Sequence, residues 1–365
     1  MGAEGTAEYD SYVVYDCDIG TDDAWGLLML LRAEHYSQSR EVPLPAQLAP
    51  GRFKLAAVTC VHGNTDVDNG TLNALRVLST AGRLDVPVFK GCAESIMPRT
   101  WERRGYFHGR DGLGDLDNYP AVNEKALVSE ERAVNAMYRL ACEHAHRIDF
   151  LLVGPLTNFA LCINIYGDDF LDKVRDVYIM GGNIVGKGNI TKSAEFNFML
   201  DPEAAHIVLE RIKKPAWVLP WETCIDGDYG LDVDFRFNVL GAVPTASMDL
   251  MNRAERAIIL PRGFVKWLTC DALLTAAYLF PTLLIEDQRD YYATVEVVGT
   301  HTRGQMVLDH LRGRVVDHLH GKSLNARIMR RLSGRHYRIV ISWTGELPGV
   351  RIEDLWQQPQ PVPEE

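Results

Sequence analysis

Four carboxylates stand within eight residues in Asp16-Cys17-Asp18-Ile19-Gly20-Thr21-Asp22-Asp23, directly after an apolar run. Once folded, charges this close raise one another's pKa unless a cation holds them, so the run calls for a hard metal ion held by oxygen. Asp22 and Asp23 alone would also suit the first turn of a helix, where carboxylates face the positive end of the helix dipole. Capping leaves Asp16 and Asp18 without a reason at a strand end, so the cluster as a whole reads as metal-binding or catalytic.

Four further constellations carry polar chemistry. Val61-His62-Gly63-Asn64 follows a second apolar run, and Asn64 offers a donor and an acceptor to a sugar hydroxyl, although Gly-Asn is also ordinary turn chemistry. His108-Gly109-Arg110-Asp111-Gly112-Leu113-Gly114 reads as a glycine-rich loop with a titratable His, either a lid over a site or a solvated surface group. Glu195-Phe196-Asn197 follows Met180-Gly181-Gly182, with Asn183 and Asn189 between. It can bracket a polyol or simply precede the helix that opens at Asp201-Pro202. Cys270-Asp271 opens a late apolar helix, where Asp271 is either a cap or a remote metal ligand.

Strand-like runs at residues 12–16, 54–60, 86–90, 149–153, 174–180 and 216–220 alternate with helical patterns at 22–34, 67–81, 130–144, 156–163 and 202–213. That alternation predicts βαβ units: an α/β fold with an open, mostly parallel central sheet flanked by helices. The polar residues that close these strands then line the carboxyl edge of the sheet, where such folds bind ligands. Helices are predicted near 250–260 and 271–280, followed by β-hairpin elements at 292–298, 305–309 and 336–343 as small C-terminal β elements. Residues 43–51 form a Pro-rich insertion, and the expected organisation is a flexible 1–11, one catalytic domain over 12–356 and a disordered tail at 357–365.

Composition narrows the partners. The 365 residues are 47% hydrophobic and 24% charged with a formal net charge of −11, so a phosphate backbone would meet net repulsion and nucleic acid is excluded as a ligand. Seven Cys without a CxxC pair read as free thiols in a reducing compartment. Residues 1–9 hold neither Lys nor Arg nor an apolar stretch, and no run of about 18 apolar residues exists, so neither a signal peptide nor a membrane span is expected. The chain is expected in the cytoplasm.

Together these residues resemble the nucleoside hydrolases of the inosine–uridine type. The family's D-x-D-x-G-x-D-D fingerprint is met at every fixed position by Asp16 to Asp23. The likeness continues in order through Gly63-Asn64, Gly154-Pro155-Leu156-Thr157-Asn158, Met180-Gly181-Gly182, Ala194-Glu195-Phe196-Asn197 and Asp201-Pro202-Glu203-Ala204-Ala205, and spans about residues 12–343. The resemblance implies hydrolysis of ribonucleosides to ribose and free base, as in nucleoside salvage, with Ca²⁺ as cofactor, and it implies a homodimer or homotetramer. Asp18 looks like the general base that activates water and touches the metal, and Asp23 like a bidentate ligand. Asp271 and the backbone carbonyl of Val153 would complete the protein ligands. Asp16 would orient the cluster from behind, and Asp22 would hold a ribose hydroxyl. Asn64, Asn189, Glu195 and Asn197 look like the rest of a ribose cage, with His108 and Phe196 nearer the base. Such a reaction builds positive charge on the ribose ring, which surrounding carboxylates stabilise.

One position departs from the pattern. Several family members place a His before the late metal Asp to protonate the departing base, and this chain has Cys270, as a subgroup does. A neutral thiol is a weak donor, which leaves His108, Tyr229 or water as other acids. Trp267, about one helical turn earlier, would either stack on a base or pack in the core. Two other functions share some of these features: a non-catalytic ribose-binding relative, against which the retained Asp18 argues, and a haloacid-dehalogenase-like phosphatase. The phosphatase pattern wants Thr or Val where Gly20 stands and leaves the later motifs unexplained.

Overall fold

Runs rich in Val, Ile, Leu and Phe, buried on both faces, become parallel strands because helices cover the sheet from either side. The computed structural model describes residues 9–39, 45–98, 105–229, 231–311 and 322–356. In chain order the strands are β1 Ser11–Cys17, β2 Phe53–Cys60, β3 Val88–Lys90, β4 Val128–Ser129, β5 Ile148–Leu152, β6 Val174–Met180, β7 Ala216–Leu219, β8 Ile285–Tyr291, β9 Ala293–Val295, β10 Met306–Leu308 and β11 Ala326–Leu332. The helices begin with α1 Thr21–Gln38, α2 Val67–Thr80, α3 Glu124–Leu127, α4 Ala133–Glu143, α5 Thr157–Leu171 and α6 Phe196–Leu200. They continue with α7 Pro202–Arg211, α8 Trp221–Asp226, α9 Ala246–Ile259, α10 Cys270–Leu279, α11 Pro281–Leu284 and α12 Gly334–Thr344. No helix among the described residues is long and apolar enough to cross a membrane.

Among the described residues the main sheet has nine strands in the order β4-β3-β2-β1-β5-β6-β7-β11-β8, all parallel except the β11–β8 pair. The chain builds outward from β1 through β2, then returns to the other side of β1 with β5. The carboxyl ends of β1 and β5 therefore flank the point where strand order reverses, the crevice in which open α/β sheets bind ligands. Val13, Tyr15 and Cys17 pack on one face with α1, α2, α9, α10 and α12; Val14, Phe150 and Leu152 pack on the other with α4, α5 and α7.

The six strands and seven helices of the sequence reading fall where the periodicity puts them, as does the antiparallel β9–β10 pair. Residues 336–343 are a correction: they lie in the helix α12, not in a β element. Their run of apolar and β-branched residues mimics a strand, but Tyr337, Val340, Ile341 and Thr344 are buried at helical spacing. The sheet instead gains β8 and β11, whose charged residues hid them. β8 is an edge strand with Glu286 and Gln288 exposed, and an exposed strand face does not need apolar residues. The expected tail at 357–365 lies outside the described residues, as do 1–8 of the N-terminus, whereas Ser11 already pairs in β1.

The packing of α1 on α10 sets the distance between the two halves of the acidic cluster. Gly26 makes it close. A Cβ there would fall 2.3 Å from Tyr15 Oη and 3.0 Å from Thr275 Oγ1 of α10. The Tyr15 hydroxyl is buried and donates to Asp23 O at 2.9 Å, so it has no room to yield. Gly26→Ala is expected to cost about 1–3 kcal/mol by overpacking, read as a lower urea midpoint at unchanged slope. An unchanged midpoint would show that the helices have slack here.

Candidate active site

Three segments converge at the reversal point: the turn after β1 with Asp18, the first turn of α1 with Asp22 and Asp23, and the first turn of α10 with Asp271. Asp22, Asp23 and Asp271 each offer a carboxylate oxygen within 4.8 Å of the others, an acidic group able to hold a metal ion. Asp18 sits beside them, fully buried, with Asn64 N–H donating to Oδ2 at 2.6 Å. Gly63 permits that contact, since a Cβ there would lie 1.9 Å from Asp18 Oδ2. Asp18 Oδ1 is buried and accepts no hydrogen bond, and the same holds for Asp22 Oδ1. A buried carboxylate oxygen left without a donor is costly, and an all-oxygen set with two such atoms fits a hard divalent cation.

Both oxygens of Asp23 are held by donors, whereas Asp16 Oδ2 is a third buried oxygen that accepts no hydrogen bond. Asp23 Oδ1 accepts from Asp18 N–H at 3.2 Å, and Oδ2 accepts from Gly20 N–H at 2.8 Å and from Asn64 Nδ2 at 3.2 Å. Asp16, inside β1, accepts from Thr59 Oγ1 at 2.6 Å and from Asn158 Nδ2 at 2.8 Å on Oδ1. Asn158 also donates to Cys60 O and accepts from Cys92 N–H, so it ties the start of α5 to the ends of β2 and β3.

His108 closes the start of α1, where Gly20 has no side chain to cap it. Its Nδ1 accepts from Thr21 N–H at 3.1 Å, which requires a lone pair there and leaves the ring proton on Nε2. That nitrogen lies 3.4 Å from Asp22 Oδ1, so the expected lid His is brought into the cluster. Gly182, Asn197 and Phe198 N–H all donate to the carboxylate of Glu195. Asn197 Nδ2 donates to the carbonyl oxygens of Val153, at 2.8 Å, and Met180, at 3.1 Å. The Val153 carbonyl, at the carboxyl end of β5, thus has one partner already in place. Phe196 is half-buried beside them, and Asn189 is exposed on the preceding loop.

Cys270 is buried in the first turn of α10 against Cys224, and that contact, with burial, pushes its thiol well above the usual range. The Tyr229 hydroxyl donates to Thr223 O at 2.6 Å, and burial pushes its pKa far up, so it is poorly placed to act as an acid. Trp267 is 2% exposed and donates Nε1 to Glu255 Oε1 at 2.9 Å, which makes it a core residue rather than a stacking surface. The sequence reading passed over Thr59, Asn158, Trp25, Arg236 and Glu255. Asn158 alone carried a signal, its place in the Gly154-to-Asn158 motif. A cavity of about 470 Å³ lined by Trp25, Arg32, His35, Tyr36 and Trp343 holds none of these carboxylates, so the site is located by its chemistry and not by volume.

Residues 13–338 match the family described as inosine-uridine preferring nucleoside hydrolase. The chain belongs to that family. It is 29% identical to the pyrimidine-specific ribonucleoside hydrolase RihA of Escherichia coli over 87% of its own length and 92% of that protein. It is 36% identical to the inosine-uridine preferring nucleoside hydrolase of Crithidia fasciculata, and 33% to a probable uridine nucleosidase 1 of rice, Oryza sativa. Those two matches cover 54% and 57% of this chain, and they span only 56% and 57% of the two relatives. The fold is that of the solved inosine-guanosine nucleoside hydrolase, with a TM-score of 0.78 at 22% identity over 93% of this chain and 99% of that one.

In this nucleoside hydrolase family member the cluster is electrostatically loaded. Burial, then the neighbouring aspartates, push Asp18 and Asp271 well above the carboxylate range. Burial likewise raises Asp16 and Asp23 from 3.8 to about 7, and Glu195 from 4.5 to about 7. An unfolded chain gives up these protons near pH 4, whereas the folded one keeps them until about 7. Because the folded state binds more protons across that window, stability without metal is greatest below pH 4 as far as these groups go, and is lost as pH rises through 7. A saturating divalent cation takes the protons' place and should flatten the curve. Urea midpoints across this range, in chelator and in cation, test the sign; a chelator-treated midpoint independent of pH would contradict it.

Proposed function

We propose that the chain hydrolyses the N-glycosidic bond of ribonucleosides, giving ribose and the free base, with Ca²⁺ as cofactor. The observation that carries this reading is Asp18: a buried carboxylate with one oxygen pinned by Asn64 N–H and the other unbonded, beside the Asp22, Asp23 and Asp271 group. Asp18, Asp23, Asp271 and the Val153 carbonyl would hold the cation, with Asp16 fixing the strand end behind them. When bound, Ca²⁺ would supply charge that anchors the ribose hydroxyls and makes water more acidic.

Asp18 takes a proton from water as the water oxygen bonds to C1′ of the ribose. The C1′–N bond breaks, its electron pair leaves with the base, and the base nitrogen collects a proton. Asp18 Oδ1, buried and unbonded while Oδ2 is held by Asn64 N–H, is the oxygen free to accept the proton from water. Asp22 is the group for a ribose hydroxyl, joined by Asn64, Asn189 and Asn197, while Glu195 contributes by holding the Gly182 and Asn197 backbone in place. The leaving base is served from the side of His108, Phe196 and Cys270. His108 is the better placed hydrogen-bond donor to the departing base, because its Nδ1 lone pair is taken by Thr21 N–H and its Nε2–H faces the cluster, while water delivers the proton that the base nitrogen collects. Cys270 is held as a neutral thiol by Cys224.

Release of base and ribose from inosine, uridine and adenosine tests the proposal, with 2′-deoxy and chelator-treated controls. Asp18→Asn is expected to lose about 10²–10⁴-fold in kcat. The 2′-deoxy substrate should fall by about 10⁴-fold, since a missing hydroxyl strands its buried partners. Ribonucleoside binding with no release from any substrate would favour a non-catalytic role. His108→Gln should lower kcat more than Cys270→Ala does; the reverse order would make the thiol the acid.

A further inference from the structure

Glu255 of α9 is 1% exposed and lies off the crevice, yet three side chains converge on it. Trp25 Nε1 donates to Oε1 at 3.3 Å, and Trp267 Nε1 donates to the same oxygen at 2.9 Å. Arg236 Nε bonds Oε2, and Arg236 Nη1 reaches Asn252 Oδ1 at 2.8 Å. The guanidinium also lies over both indoles, 5.1 Å from the Trp25 ring and 5.3 Å from that of Trp267, while the two indoles meet edge to face at 5.4 Å. Trp25 stands two residues after Asp23 on α1. Trp267 stands four residues before Asp271, on the segment that leads into α10.

We infer that Glu255 is a positioning residue for the acidic cluster: its carboxylate, gripped by both indoles, fixes the segment of Asp22 and Asp23 against the segment of Asp271. The inference rests on the metal-site reading proposed above. The need for such a clamp follows from the cluster's own charge. Asp271 faces Asp22, Asp23 and Asp18, and as these carboxyls lose their protons with no cation between them, their repulsion acts to separate the first turns of α1 and α10. A shared acceptor beneath both turns resists the separation, so the oxygens stay close enough for one ion to bridge them. Arg236 binds Oε2 and opposes the upward push that burial gives the Glu255 carboxyl, which leaves Oε1 to accept from both indole N–H groups. A buried carboxylate with these partners would be an extravagant way to join two core tryptophans if their spacing did not matter, because burying an ion pair gains little over apolar packing.

Trp267→Phe tests this with little disturbance, since it keeps an aromatic ring and leaves Glu255 bonded to Arg236 and Trp25. Calorimetric titration of the metal-free full chain with Ca²⁺ alone, without substrate, should show affinity about tenfold weaker than wild type, as losses in the surroundings of metal ligands do. Activity at saturating Ca²⁺ should recover toward the wild-type kcat. Trp25→Phe removes the other donor and should give the same shift, so if one variant fails to fold the other decides. Glu255 serving only the core would instead lower the urea midpoint and leave Ca²⁺ affinity at the wild-type value, and that result overturns the inference. Wild-type chain that binds no Ca²⁺ overturns the metal reading, and this inference with it.

Discussion

The carboxylates of Asp18, Asp22, Asp23 and Asp271 share one place, and burial with the neighbouring charges makes Asp18, Asp23 and Asp271 harder to ionise. Packing them together runs against both solvation and Coulomb repulsion. The surrounding framework limits that cost by donating backbone N–H groups. Asp18 receives Asn64 N–H, and Asp23 receives Asp18 and Gly20 N–H. What these donors leave unmet is Oδ1 of Asp18 and of Asp22, with Asp16 Oδ2 behind them, and at the first two a cation would meet the demand.

The fold answers the same constraint at larger scale. Strand order reverses between β1 and β5, so two turns splay apart at their carboxyl ends and leave a crevice lined by backbone. The first turn of α1 brings two aspartates to it together with the positive end of a helix dipole, and the first turn of α10 brings a third. Gly63 and Gly26 mark where close approach is needed, one against Asp18 and one where α1 meets Tyr15 and Thr275. His108, carried on a loop far along the chain, completes the cap of α1 through the Thr21 N–H.

The sheet core and the acidic fingerprint were legible because both are local signals: apolar runs of strand length, and four carboxylates packed into one turn. Residues 336–343 misled because β-branched residues on the buried face of α12 look like a strand when read in isolation. β8 and β11 were missed for the opposite reason: the edge strand β8 carries polar residues on the face that meets water, and β11 beside it is interrupted by the exposed Arg330 and Arg331. Within the site, Asp18, Asp22, Asp23, Asn64, His108 and Asp271 are brought together, whereas Glu195 turned out to hold backbone N–H groups. Partners such as Thr59, Asn158 and Glu255 lie far from the aspartates in sequence, and no spacing rule announces a contact made only by packing.

The central claim is that this one cluster binds both the cation and the ribose. A crystal structure of the Asp18→Asn chain grown with Ca²⁺ and a ribonucleoside tests it most directly, because the substrate survives when the base is disabled. One ion is expected against Asp23, Asp271 and the Val153 carbonyl, with the ribose hydroxyls on the ion and on Asp22. Ribose seated elsewhere, or seated here with no ion beside Asp23 and Asp271, would contradict it.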